Sequence, residues 1–425
     1  MTASASARTR SAAATRERIV DAARDVFISR GYRAASLRDV AAAAGITHPG
    51  LLKHFPTKDL LLAAVIAGYD SATADAFEQG GARAGDRLLF ADVAERNEAI
   101  AGYLPLYAAL VGEGSTPGHP AHDYMRERYA HLRRMTAEQL RVAATSGAVH
   151  PARDFRGEAV RIAAIWDGLQ LLELYLPQRV ALVPLLAEVQ GLLALPPGGN
   201  GDGPPGGNGD GSPAPAAPWP SLDLTNGVDS DTDGYRVGRE RRAQILSDAT
   251  ALFARDGYAD TSLREIAERV GVSKSALLHH YPSKDALLRA VLVERDRAVS
   301  LAPPADASRA ADVVRDTPRG AAANASSAPG LVEVYAVLSC EALPEDHPAH
   351  EYFARRFTRA IDFFTAVLRA AQTDGDLPAH RDPEREAIRL IALWDGLQYQ
   401  WLYDRDSVDV AAHLAAHLDD ILPRR

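Results

Sequence analysis

The chain contains the same unit twice. Laid without a gap over Gly257–Val291, the segment Gly31–Val65 is identical at 17 of 35 positions. The match resumes further on. His119-Pro120-Ala121-His122-x-Tyr124 pairs with His347-Pro348-Ala349-His350-x-Tyr352, and Trp166-Asp167-Gly168-Leu169-Gln170 with Trp394-Asp395-Gly396-Leu397-Gln398, as the offset moves from 226 to 228 residues. Two copies of a unit of about 180 residues are too few and too long for a solenoid, so each copy is expected to enclose its own core. Between the copies, residues 196–234 are dominated by Gly, Pro, Asn and Asp with almost no apolar periodicity, which is the composition of a linker.

Within each copy the apolar spacing is helical. Ile19, Ala23, Val26 and Phe27 fall at i, i+4, i+7 and i+8, as do Ile245, Ala249, Leu252 and Phe253. Gly31 and Gly257 stand where a C′ glycine ends such a helix. A second helix opens at Ser36-Leu37-Arg38-Asp39 and Ser262-Leu263-Arg264-Glu265, with serine as N-cap and an acid at N3; Glu265 suits the reciprocal capping box better than Asp39. Leu37, Val40 and Ala41, and Leu263, Ile266 and Ala267, are expected to face inward. A third helix follows after Gly45-Ile46-Thr47 and Gly271-Val272-Ser273, capped by Thr47 and Ser273 and stopped by Pro56 and Pro282. Two short helices joined by a tight glycine-containing turn are a helix-turn-helix pattern. Thr57 and Ser283 can cap a long fourth helix. Periodic stretches near 119–146, 154–176, 347–375 and 382–403 extend the helical reading, and no strand pattern stands out, so the expected fold class is all-α.

Charge is distributed unevenly. The chain of 425 residues carries a net −9, yet residues 1–60 hold ten Lys and Arg against five acids. The total argues against a generic polyanion binder but not against a local basic face. Residues 1–14 have arginines and small residues but no apolar h-region, which reads as a flexible basic arm and not as a secretory signal. The apolar stretches 163–176 and 180–195 are broken by Asp167, Glu173, Pro184 and Glu188, so no membrane span is expected. The single cysteine, Cys340, rules out an internal disulfide framework, and a cytoplasmic location is expected.

The segments SLRDVAAAAGITHPGLLKHFPTKDLLLAAV at 36–65 and SLREIAERVGVSKSALLHHYPSKDALLRAV at 262–291 resemble the DNA-binding domain of TetR/AcrR-type transcriptional regulators. Trp-Asp-Gly-Leu-Gln resembles a sequence common in the ligand-binding and dimerisation domain of that family. The resemblance implies a sequence-specific regulator of double-stranded DNA, most often a repressor released by a small organic effector, and here two subunits in one chain. The domain order it implies is an arm at 1–14, a helix-turn-helix domain at 15–60, a helical effector and dimerisation domain at 61–195, the linker at 196–234, a second helix-turn-helix domain at 235–286 and a second effector domain at 287–425. By position, His48, Pro49, Gly50 and Lys53, and Lys274, Ser275, Ala276 and His279, form the base-facing surfaces. Arg38 and Arg264, His54 with Lys58, His280 with Lys284, and the hydroxyls of Thr47 and Ser273 complete the DNA-facing set. Both copies depart from the family by Leu52 and Leu278 in place of its usual tyrosine, which leaves one phosphate contact unsupported. The partner is either the other copy within the chain or a second chain; no cofactor and no enzymatic activity are implied.

Independently of the resemblance, a lysine in the first turn of a helix opposes the macrodipole, so Lys58 and Lys284 suit a phosphate better than they suit stability; the alternative is a solvated surface lysine. The second halves are rich in polar-tipped aromatics. Tyr103, Tyr107, Tyr124, Tyr129 and Trp166 in one copy, and Tyr335, Tyr352, Tyr399 and Trp394 in the other, are read either as core or as walls of a mixed apolar and aromatic effector pocket. A constitutive regulator without effector is the alternative to a ligand-responsive one. The pairs His119/His122 and His347/His350 invite a metal site, and with it a metal-dependent hydrolase; Pro120 and Pro348 favour plain helix starts with proline at N1. Cys340 sits in an apolar run and is read as a buried structural thiol.

Overall fold

The computed structural model describes residues 2–30, 32, 35–79, 88–198, 222, 224, 236–299, 307–327 and 329–423. Among them the first copy comprises α1 (Thr2–Arg30), α2 (Leu37–Ala43), α3 (His48–Leu52), α4 (Lys58–Gln79), α5 (Phe90–Ala99), α6 (Tyr103–Gly114), α7 (His122–Thr145), α8 (Phe155–Tyr175) and α9 (Leu182–Leu192). The second comprises α10 (Arg236–Asp260), α11 (Leu263–Val270), α12 (Lys274–His280), α13 (Lys284–Val299), α14 (Ala310–Arg315), α15 (Thr317–Ser327), α16 (Pro329–Glu341), α17 (His350–Thr373), α18 (Pro383–Tyr403) and α19 (Val410–Ile421). The described residues form no β-strand, in keeping with the all-α expectation.

The stripes predicted for the first helices are the buried ones: Ile19, Ala23, Val26 and Phe27 in α1, and Ile245, Ala249, Leu252 and Phe253 in α10. Gly257 takes φ of 76° and kinks α10, as a helix-ending glycine should. Its counterpart Gly31 lies outside the described residues. The capping box is inverted from expectation. Ser36 and Asp39 make both reciprocal bonds, whereas Ser262 accepts from the Glu265 amide but the Glu265 carboxylate is taken by Arg255 at 3.0 Å. A charged guanidinium outcompetes a neutral backbone N–H for the longer acid.

Three expectations change. The stretch 1–14 is not an irregular arm, because α1 begins at Thr2; it is alanine-rich without Gly or Pro, and nothing interrupts propagation of the helix. The boundaries at 60/61 and 286/287 fall within the first turn of α4 and α13, so each helix-turn-helix is continuous with the helical domain that follows through one helix. Pro120 and Pro348 do not occupy N1. Helices α7 and α17 start at His122 and His350, and the turn before each is held by Nδ1 of His119 or His347, accepting from the amide of Ala121 or Ala349 at 3.2 Å.

Most of 196–234 lies outside the described residues. Gly198 donates its amide to Asp420 of α19 at 3.1 Å, and Leu222 and Leu224 are buried, 6 % and 4 % exposed, so parts of this segment are docked and do not behave as a free linker.

The two copies pack against each other about a pseudo-twofold relation. Helices α8 and α18 cross so closely that a Cβ on Gly168 meets the Ala392 carbonyl and one on Gly396 meets that of Ala164. This is what the glycine of Trp-Asp-Gly-Leu-Gln does. Tyr175 donates to the Ser339 carbonyl at 2.7 Å and Tyr403 to that of Val111 at 2.8 Å, two bonds related by the 228-residue offset. His350 and His122 pack their rings 5.2 Å from Tyr175 and Tyr403 respectively, each with Nδ1 at 3.0 Å from the carbonyl of Ala342 or Gly114. Ion pairs Arg133 to Asp404 at 2.9 Å and Arg179 to Glu384 at 2.8 Å also cross between copies.

Candidate nucleic-acid interface and effector cavity

The third helix of each copy is anchored by one buried leucine, Leu51 in α3 and Leu277 in α12. A single anchor on so short a helix leaves the rest of its surface outward. Thr47 and Ser273 cap it, accepting from the amides of Gly50 at 3.2 Å and Ala276 at 3.1 Å. Each hydroxyl keeps its own proton to donate. Pro49 and Lys53 are exposed, and His48, Gly50 and His54 half-buried; Lys274, Ser275, Ala276 and His279 are exposed, and His280 half-buried. Arg38 and Arg264 are exposed on α2 and α11, with Arg264 paired to Glu268 at 2.7 Å. Burial, with His279, Arg242 and Arg241 nearby, pushes the His280 imidazole below its ordinary value.

Two positions in this face went unnoticed in the sequence. The guanidinium of Arg16 lies 4.5 Å from the Phe55 ring centre and that of Arg242 lies 5.1 Å from Tyr281, equivalent positions at an offset of 226 that bring α1 and α10 charge to the end of the third helix. The repeat itself carried the signal, an arginine kept in both copies on the polar side of a first helix.

Lys58 and Lys284 have partners inside the fold. The Lys58 ammonium donates to the carbonyls of Tyr32 at 3.1 Å and Ala35 at 3.3 Å, and lies 4.4 Å from the Tyr32 ring centre. Lys284 donates to Ala259 at 3.2 Å and lies 4.2 Å from the Tyr258 ring, and burial lowers its pKa. The unfavourable dipole end is thereby met by carbonyls in the turn after α1 and at the close of α10. Tyr32 and Tyr258 in turn donate to Asp59 and Asp285.

The first histidine of each His-Pro-Ala-His motif sits at the joint between domains. His119 Nε2 is 3.5 Å from Asp59, and Asp59, Glu113 and His119 present ligand atoms within 4.8 Å of one another. Burial pushes the Asp59 carboxyl up, but hydrogen bonds from His119 and Tyr32 outweigh it and hold the group at about 2. In the second copy Glu341 accepts from the amides of Tyr258 at 2.6 Å and Ala259 at 2.7 Å, just past the Gly257 kink. Because the second histidines bind carbonyls and pack on the opposite copy, each pair is committed to separate structural contacts.

In the helical second domain of the first copy Asp167 is a hub. It accepts from Tyr107 at 3.1 Å and Tyr129 at 2.7 Å, while Arg128 donates to Tyr107 at 3.1 Å and grips Asp70 with bonds of 2.7 and 2.8 Å. Full burial pushes the Asp167 carboxyl up to about 6 despite the hydrogen bonds and cation that oppose it. Tyr69 meets Tyr103 edge to face at 5.1 Å and Tyr103 stacks on Tyr107 at 6.0 Å, and all three are buried; Tyr124 and Trp166 are half-buried at the edge.

The second copy is arranged differently. A cavity of about 50 Å³ is bounded by Phe364, Trp394, Trp401, Asp395, Gln398, Arg356 and Arg295, with Leu222 and Leu224 also in its wall. Of the aromatics singled out in the sequence, Trp394 lines it. Tyr335 supports it, donating to Asp395 at 3.0 Å and accepting from Arg356 at 2.9 Å, and Tyr352 donates to Asp296. Arg295 stands where the first copy has Tyr69, its guanidinium 3.7 Å from the Tyr335 ring centre. The arginines and the aspartate of Trp-Asp-Gly-Leu-Gln were not singled out, because a charged residue in an amphipathic helix is ordinarily solvated. Cys340 is buried, with its thiol pushed up to about 12 by burial. Among the described residues no helix is long and apolar enough to cross a membrane.

The geometry agrees with what the chain resembles. The family described as bacterial regulatory proteins, tetR family, matches residues 19–65 and again 245–291, and that described as BetI-type transcriptional repressor, C-terminal, matches 332–423. The regulator TtgR of Pseudomonas putida is 30 % identical over 196 residues, covering 43 % of this chain and 89 % of TtgR. SrpR of Pseudomonas putida is 28 % identical over 169 residues, 39 % of this chain and 78 % of SrpR. A solved transcriptional regulator from Saccharomonospora viridis, in complex with choline, aligns over 43 % of this chain and 95 % of its own, at 26 % identity and a TM-score of 0.36. Two helix-turn-helix units built on capped third helices, each matched by the family and joined to a helical domain, make this chain a member of the TetR family of DNA-binding transcriptional regulators, carrying two tandem copies of the family's DNA-binding domain.

Proposed function

We propose that the two copies act as a dimer within one chain, reading an operator with unlike half-sites, and repress transcription until a small organic effector enters the second effector domain. The observation that carries this reading is the reciprocal pair Tyr175 to Ser339 and Tyr403 to Val111, the kind of isologous contact a twofold pair makes, made here by one chain. The base-facing residues differ between copies, His48-Pro49-Gly50 with Lys53 against Lys274-Ser275-Ala276 with His279, so the two half-sites should differ.

Release of DNA follows from a continuous connection. Tyr335 on α16 is bonded to Asp395 in the cavity wall, and one and a half turns later on the same helix Glu341 holds the amides of Tyr258 and Ala259. A ligand that shifts α16 along its axis moves the end of the first DNA-binding helix with it. Effector binding and operator binding are then linked, each weakening the other by the same factor.

Light scattering of the free protein together with selection from random DNA tests this. A 45.5 kDa monomer selecting an imperfect palindrome is expected. A stable two-chain species selecting perfect palindromes overturns the within-chain pairing, and a failure to select any sequence overturns the regulator reading.

A further inference from the structure

Resting on the reading of the second module as the effector domain, we propose that its cavity takes a small apolar carboxylic acid, whose carboxylate pairs with Arg295 and whose entry displaces Leu222 and Leu224.

Volume sets the first constraint. About 50 Å³ holds a few waters and no organic molecule, so a ligand must move part of the wall. Every other wall residue belongs to a helix; Leu222 and Leu224 belong to the segment between the copies, and they are buried all the same. An apolar pair from a Gly- and Pro-rich segment, inserted beside Trp394, Trp401 and Phe364, does what the apolar part of a ligand would do there. It is held at high local concentration by its own chain.

Charge sets the second. Arg295 is 3 % exposed, with Nη1 at 3.3 Å from Asp296, and its Nε has no hydrogen-bond partner among the described residues. The same Asp296 also takes Arg356 at 3.2 Å and the Tyr352 hydroxyl, so two buried guanidinium groups share it. Asp395 faces both arginines, and burial pushes its carboxyl upward, towards the neutral form. A buried guanidinium with an unpartnered Nε–H attracts a carboxylate, which guanidinium groups bind through paired N–H donors. The first copy, with Tyr69 in place of Arg295 and Arg128 already paired bidentately to Asp70, has no second guanidinium there, so the acid site belongs to one module alone.

The test is calorimetric titration of the full chain with 4-phenylbutyrate and with neutral 4-phenylbutanol, both of which offer the same apolar body. The acid should bind at least ~10-fold more tightly. Arg295→Tyr, which installs the first copy's residue, should erase that preference, and Arg295→Lys should retain part of it. The double variant Leu222→Ser/Leu224→Ser should bind the acid several-fold more tightly than the unaltered chain, having lost its tethered competitor. Equal affinity for acid and alcohol, a preference surviving Arg295→Tyr, weaker acid binding in the double variant, or heat from neither probe at millimolar concentration each overturns the proposal. No DNA enters this assay. Its failure therefore leaves operator selection untouched, while failure to select an operator leaves the calorimetry standing.

Discussion

The pairing of the two copies is open to a volume-exchange experiment at Gly112 and Cys340. These are equivalent positions, 228 apart, and they face each other across α6 and α16, so they lie on the pseudo-twofold axis. A Cβ on Gly112 stands 2.5 Å from Cys340 Cβ and 2.9 Å from its sulfur, where carbon contacts prefer about 3.5–4.0 Å. For Gly112→Ala the helices must part by about 1 Å, an overpacking cost of about 1–3 kcal/mol, against which alanine recovers about 1 kcal/mol of helix propensity. Cys340→Gly leaves a small void and loses propensity in turn. Gly112→Ala/Cys340→Gly restores one small and one larger residue on the axis, so the double variant should be more stable than the two single changes predict, by a coupling of about 1–2 kcal/mol. Urea unfolding followed by tryptophan fluorescence and far-ultraviolet dichroism measures this, and the midpoint should not change over a 100-fold range of protein concentration. Additive effects, or a midpoint that rises with concentration, refute within-chain packing of α6 on α16. The asymmetry is itself informative: two identical second modules would place thiol against thiol where the chain now sets a thiol against a glycine.

Four further outcomes are expected. Glu341→Gln should leave operator and effector affinities within a few-fold while abolishing the effect of one on the other, measured by fluorescence anisotropy of labelled operator with and without ligand. Thr47→Ala and Ser273→Ala should each destabilise their module by about 1 kcal/mol through loss of the cap, and each should weaken one half-site only, seen by footprinting. Lys53→Ala should relax base preference in one half-site by about 1–3 kcal/mol at unchanged thermal stability, whereas Lys58→Ala, which strips the Tyr32 and Ala35 carbonyls of a donor, should lower stability by about 1–3 kcal/mol. Asp167, held at about 6 in the fold against an ordinary value of 3.8, binds more protons folded than unfolded between these values; stability should fall as pH rises from 3 to 7, by about 3 kcal/mol relative to Asp167→Asn, and a pH-independent difference between the two proteins contradicts the assignment.

What was legible in the sequence was what neighbours in sequence decide. The α1 and α10 stripes, the caps Thr47 and Ser273 and the long helices α7, α8, α17 and α18 all depend on spacing or on a side chain reaching its own backbone within a few residues. What escaped depends on partners far along the chain. The histidine pairs looked like a helix start or a metal site because their stacking partners, Tyr403 and Tyr175, stand more than 170 residues away on the other copy. Lys58 looked unfavourable at its helix start because the carbonyls that receive it, of Tyr32 and Ala35, come from the turn after α1, more than 20 residues back. Glu265 looked like the better box residue because Arg255, its captor, belongs to the preceding helix.

The repeat supplied a control that a single copy lacks. Where both copies keep a residue, its role is the one the shared fold requires: Tyr32, Lys58 and Asp59 recur as Tyr258, Lys284 and Asp285 with the same tyrosine–carboxylate bond and ammonium–ring contact. Where they differ, the shared requirement is absent and the difference can carry separate work. Tyr69 against Arg295 changes the charge of an interior, Gly112 against Cys340 makes the axis unequal, and the third-helix faces diverge while their caps do not. Duplication within one chain permits this, because a homodimer must place every substitution in both subunits and therefore on both half-sites and in both cavities. A fused pair can fill one interior with Tyr69, Tyr103 and Tyr107 and leave a cavity lined by Arg295, Trp394 and Trp401 in the other, a division of the two interiors that no homodimer can reach.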